Sequence, residues 1–77
     1  MRVRVRLWAG LNVYRQDRLS DFDLCLEAGA TVRALLMKVN VPEEMTAVIT
    51  VNGQKAKLGH ELSDGDCVDV YPPICGG

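Results

Sequence analysis

Phe22-Asp23-Leu24-Cys25-Leu26-Glu27-Ala28-Gly29-Ala30-Thr31-Val32-Arg33-Ala34-Leu35-Leu36-Met37-Lys38-Val39 changes its hydrophobic period midway, and that change decides the fold. Over residues 20–27 the apolar residues alternate. Phe22, Leu24 and Leu26 point one way, and Asp21, Asp23, Cys25 and Glu27 the other, as in a strand with one buried face. Ala28-Gly29-Ala30 breaks the alternation. Thr31 then offers a side-chain oxygen to the first amides of a helix. Val32, Leu35, Leu36 and Val39 fall at i, i+3, i+4 and i+7, one apolar stripe. Asn40 tolerates the left-handed cap conformation and Pro42 bars continuation, so the spacing predicts a helix over 31–39.

Working back toward the N-terminus, residues 2–8 alternate strictly. Val3, Val5 and Leu7 face inward, and Arg2, Arg4, Arg6 and Trp8 face outward. This first strand pairs antiparallel with the second, its neighbour in sequence. Residues 9–19 keep no period and read as a connection.

Working forward, Pro42-Glu43-Glu44 opens a turn, and Ala47 to Val51 form a third strand rich in β-branched residues. Asn52-Gly53 tolerates positive φ at both positions and folds residues 54–57 back as a short strand. Leu58 and Leu62 flank a polar loop and can tuck inward. Ser63-Asp64-Gly65-Asp66 is a second turn. Cys67 to Tyr71 form the last strand, with Val68 and Val70 inward. Pro72-Pro73 ends it, because proline cannot donate to a ladder. Residues 72–77, closing on Gly76-Gly77, read as a flexible tail that reaches about 20 Å at full extension.

Composition narrows the function classes. A 77-residue chain is one small domain (residues 1–77) with a thin core, too small for a deep enclosed active site. The net charge of -1 gives no footprint for nucleic acid, although residues 1–18 carry +4 and residues 19–77 carry -5. No apolar run approaches a membrane span, and the N-terminus lacks a secretory h-region. Cys25, Cys67 and Cys75 are odd in number, with no C-x-x-C pair, so neither a disulfide framework nor a metal site is expected. The expectation is a reduced, cytoplasmic protein with no bound cofactor.

The order ββαβββ, with a helix crossing one face of a mixed sheet of four to five strands, is an α+β β-grasp (ubiquitin-like) roll. Here the chain resembles the ubiquitin-like sulfur carriers, namely molybdopterin synthase small subunits (MoaD-like) and thiamine sulfur carriers (ThiS-like). The resemblance spans nearly the whole chain. It is carried by Leu26 through Val32 with Leu35-Leu36, by Val51-Asn52-Gly53, by Leu62 through Val68, and by Tyr71-Pro72-Pro73 through Gly76-Gly77. The connection over 9–19 departs from the helix usual in molybdopterin synthase small subunits.

The resemblance implies a mechanism. An E1-like adenylating enzyme consumes ATP to convert the Gly77 carboxylate into an acyl-adenylate. Persulfide sulfur from a cysteine desulfurase or rhodanese-like donor then displaces AMP, leaving a thiocarboxylate. Pro72, Pro73, Ile74, Cys75 and Gly76 thread that group into the acceptor enzyme, in the molybdopterin branch the large synthase subunit. The chain itself is then a carrier rather than an enzyme. Thiamine-type and tungsten-type pathways stay open. So do a protein modifier forming isopeptide bonds through Gly77 and a binding module with an inert tail.

Several residues carry two readings. Cys75 is either a redox or persulfide partner of Gly77 or an ordinary tail residue. The Arg2, Arg4, Arg6 stripe is either a solvated sheet face or a docking surface for an acidic partner. Trp8 either closes the strand end over the core or anchors an interface. His60, Lys55 and Lys57 read as solvated.

Overall fold

The computed structural model describes residues 1–73. The predictions for Ile74, Cys75, Gly76 and Gly77 lie outside the described residues. Strands β1 (Arg2–Leu7), β2 (Asp21–Cys25), β3 (Val48–Val51), β4 (Gln54–Lys55) and β5 (Cys67–Tyr71) form one sheet in the order β2-β1-β5-β3-β4. The central pair β1/β5 is parallel and the other pairings are antiparallel, as a β-grasp roll requires. One helix, α1 (Val32–Val39), joins β2 to β3 with a short 3-10 turn at Glu43–Met45.

Helix α1 begins and ends where its caps direct. Thr31 Oγ1 accepts from the Ala34 amide at 3.3 Å. The Val32 and Arg33 amides donate to the carbonyls of His60 and Leu58, so the 58–60 loop satisfies donors that a helix start leaves orphaned. His60 therefore serves through its backbone. At the other end Asn40 adopts φ 64° and donates to the Leu36 and Met37 carbonyls.

The apolar stripe of α1 packs against one face of the sheet. Val32, Leu35, Leu36 and Val39 join Val3, Val5, Leu7, Phe22, Ile49, Val51, Val68 and Val70 in a single buried cluster. Two members come from stretches without a period. Leu11 is buried by a 3-10 turn over Leu11–Tyr14, and Val41 by the link after the helix.

Some sequence expectations need correction. Leu24 is only half-buried, because β2 is the sheet edge and α1 does not fully cover it. Regular pairing in β2 stops at Cys25, although Met1 and Leu26 still exchange hydrogen bonds beyond it. Strand β1 ends at Leu7, while the Trp8 amide still donates to the Val70 carbonyl. The strand expected over 54–57 shortens to two residues, after which the chain turns to bury Leu62 and half-bury Leu58. Asn52 and Gly53 both adopt positive φ, as the two-residue hairpin demands.

Candidate functional site

The outer face of the sheet carries residues that α1 does not cover. The register aligns them in rows. Arg4 stands between Asp23 and Cys67, and Arg6 between Asp21 and Asp69, with Thr50 beyond Asp69. Arg4 pairs with Asp21 and with Asp23, and both sides of these contacts are half exposed. The basic head seen in sequence is thus largely balanced within the fold. Among the described residues the Arg2 side chain forms no ion pair, while its backbone amide donates to Asp64 Oδ1 at 2.7 Å.

Asp69 is the one buried charged residue among those described, at 5% exposed. Arg6 grips it with both arms, Nε to Oδ1 at 2.6 Å and Nη2 to Oδ2 at 2.9 Å. The Trp8 indole N–H donates to Oδ1 at 2.9 Å. Burial works against the Asp69 charge, but the hydrogen bonds from Arg6 and Trp8 outweigh it and hold its carboxyl below the ordinary value. Trp8 in turn lies flat on Tyr71, with ring centroids 5.6 Å apart and planes 11° from parallel. Trp8 is 44% exposed and is not part of the core cluster.

Beside this stack lies an open apolar groove of about 990 Å³, lined by Ala9, Ala47, Val48, Thr50, Tyr71, Pro72 and Pro73. Its place in the topology is informative. Strands β1 and β5 run parallel and finish at the same end, and β2 and β3 start there. Trp8, Val13, Tyr14, Leu19 and Met45 all belong to segments entering or leaving the sheet at that end, and all are exposed. Met37 on α1 is the only other large exposed apolar residue among those described. These exposed apolar residues share that end of the sheet with Pro72 and Pro73, where the chain leaves β5.

The loop at this end is held by its own contacts. Arg15 pairs with Asp17 at 2.6 Å and sits 3.7 Å over the Phe22 ring centroid. With the Leu19 amide, Arg15 lowers the Asp17 pKa to about 2. The opposite end is built from turns. Asn52 accepts from the Cys67 amide and donates to Asp66, which also accepts from the Ser63 amide.

Residues 1–75 match the family described as Mut7-C ubiquitin. The chain belongs to the Mut7-C ubiquitin family. No curated protein sequence matches it. Among solved structures, this Mut7-C ubiquitin chain is similar to a putative molybdopterin converting factor, subunit 1, from Pyrococcus furiosus. The identity is 27%, coverage is 96% of this chain and 99% of that one, and the TM-score is 0.78. It is also similar to small archaeal modifier protein 1 from Haloferax volcanii, at 18% identity, with 95% and 98% coverage and a TM-score of 0.72. A third similarity is to a chain in the complex of subunits 1 and 2 of molybdopterin-converting factor from Helicobacter pylori, at 23% identity, full coverage of both chains and a TM-score of 0.65. The Mut7-C ubiquitin chain is thus a MoaD/ThiS-like ubiquitin-fold protein.

Of the residues singled out in sequence, the structure brings Arg6 and Trp8 together on Asp69, and places Pro72 and Pro73 on the groove. Arg2 and Arg4 lie nearer the opposite end of β1. Sequence reasoning missed Asp69 and the wall formed by Ala47 and Val48. The available signal was a lone acid between Val68 and Val70, but its meaning depends on the β1/β5 register. Among the described residues no three His, Cys, Asp or Glu side chains cluster as metal ligands, and no helix is long and apolar enough to cross a membrane.

Proposed function

We propose that this chain is a sulfur carrier in the molybdopterin (molybdenum or tungsten) cofactor branch, with the Gly77 carboxylate as its reactive group. The observation that carries the proposal is the apolar end of the sheet. Exposed Trp8, Tyr14, Leu19 and Met45 lie on segments at the end of the sheet where the groove is walled by Tyr71, Pro72 and Pro73, the residues that lead on in sequence to Gly76-Gly77. The likeness to molybdopterin converting factor subunit 1 supports the branch.

The chemistry follows from a carboxylate's weakness as an electrophile. An E1-like enzyme joins it to AMP, releasing pyrophosphate from ATP. A persulfide sulfur displaces AMP, and thiol cleavage of the resulting acyl disulfide leaves a thiocarboxylate. The catalytic groups sit on the partners: the adenylating enzyme, the sulfur donor and a large synthase subunit. The chain supplies a rigid apolar surface to dock and a narrow diglycine to enter a pocket. Proline at 72 and 73 stiffens the departure from the sheet.

The test is ATP–pyrophosphate exchange by the host's adenylating enzyme. Exchange should depend on this chain and vanish when a C-terminal tag blocks Gly77. Exchange that persists with the tag, or never appears, overturns the proposal. An isopeptide adduct of Gly77 to lysine would instead mark a protein modifier.

A further inference from the structure

Asp69 is an unusual residue for the middle of an uncovered sheet face. A carboxylate buried to 5% exposure is costly unless it is paired, and here every contact is directed. Its bidentate partner Arg6 fixes the carboxylate plane. Its Oδ1 receives the Trp8 indole N–H at 2.9 Å. Trp8 lies outside β1, so its ring is not fixed by strand packing. What holds it flat on Tyr71 is this hydrogen bond and the stack itself. Tyr71 is the last residue of β5 and lines the groove with Pro72 and Pro73. The chain of contact therefore runs Arg6, Asp69, Trp8, Tyr71, and then the start of the tail.

We propose that Asp69 is a positioning residue for carboxylate activation: through Trp8 it locks the Trp8–Tyr71 stack into the platform that the adenylating enzyme grips when it receives the tail. The inference rests on the carrier reading given above. The group Asp69 acts on is the Trp8 indole, which its Oδ1 holds by a hydrogen bond. Its effect is on productive docking, which belongs to KM, and not on chemistry once the tail is seated, which belongs to kcat.

Two substitutions separate this role from a merely structural one. Asp69→Asn keeps an oxygen that can accept the Trp8 N–H, and Asp69→Leu does not. Trp8 is the single tryptophan, so its near-UV circular dichroism reports the stack directly. Asp69→Leu should lose that signal and raise the KM for the carrier in ATP–pyrophosphate exchange by roughly tenfold with kcat unchanged. Asp69→Asn should keep the signal and a KM close to that of the unmodified chain. Arg33→Gln, which breaks the exposed Arg33–Glu43 ion pair away from this face, is the control and should change neither. If the unmodified chain supports no exchange, the carrier reading fails. If it does and Asp69→Leu leaves KM unchanged, or Arg33→Gln raises it equally, the positioning role is overturned.

Discussion

The two faces of the one sheet obey different rules. The inner face is uniformly apolar. Val3, Val5, Val68 and Val70 are at most 1% exposed, and α1 seals them with Leu35 and Leu36. The outer face is graded along the strands. Asn52, Cys67, Arg4 and Asp23 occupy one end, Arg6 with Asp21 and Asp69 the middle, and Trp8, Val48 and Tyr71 the other end. The inner face holds the fold together, while on the outer face the exposed apolar side chains among the described residues lie at the end where the chain departs. A small domain achieves this because its core needs one face alone.

That division can be broken from the inside first. Leu35→Ala should destabilise the domain by about 2–5 kcal/mol, because the buried site loses contacts that α1 and the sheet cannot fully close over. Urea denaturation followed by far-UV circular dichroism reads this. At ~4–8 °C per kcal/mol for a domain of this size, the melting shift should be large. A loss no larger than an exposed-position substitution would deny that the inner face carries the stability.

The helix that makes the inner face has its own weak point. Asn40→Ala places an ordinary side chain at φ 64° and should cost roughly 1–2 kcal/mol, whereas Asn40→Gly should be tolerated. Equal effects in thermal melts would show that the left-handed cap is not what matters there.

On the outer face the expected pattern reverses. Val48→Asp introduces a charge into the groove wall at a half-buried position. It should cost about 1 kcal/mol or less in denaturation while reducing carrier-dependent exchange roughly tenfold. A loss of exchange matched by unfolding would erase the distinction between the faces. The smallest effect belongs to the loop beside that end. The Asp17 carboxyl is lowered to about 2, so its contribution is full above its ordinary value near 3.8 and fades as pH falls through about 2. Carboxyl-detected NMR should find that midpoint, and Arg15→Gln should move it upward.

Much of the inner face was legible because it follows period alone. Alternation over residues 2–8 and the 3.6 spacing of Val32, Leu35, Leu36 and Val39 mark core positions without any tertiary knowledge. Turn chemistry was equally local, and Asn52-Gly53 and Asn40 adopt the conformations their side chains predict. Leu11 and Val41 escaped because no period surrounds them. The outer face was legible only as a list of outward residues. That Arg6 meets Asp69, 63 positions away, depends on which strands pair and in what register. No local rule supplies that register, so the arginine stripe read either as a solvated face or as a docking surface, and the ion pairs of Arg4 and Arg6 were not legible. The groove escaped for the same reason, since Ala9, Val48 and Pro73 come from three separate segments.

The central claim is that this end of the sheet presents a carboxylate for sulfur loading. Intact-mass measurement of the chain isolated from its native host, during active cofactor synthesis, tests it most directly. The account predicts a species ending at Gly77 with one carboxylate oxygen replaced by sulfur. A chain found only as the free carboxylate under those conditions, or only joined to lysine, would contradict it.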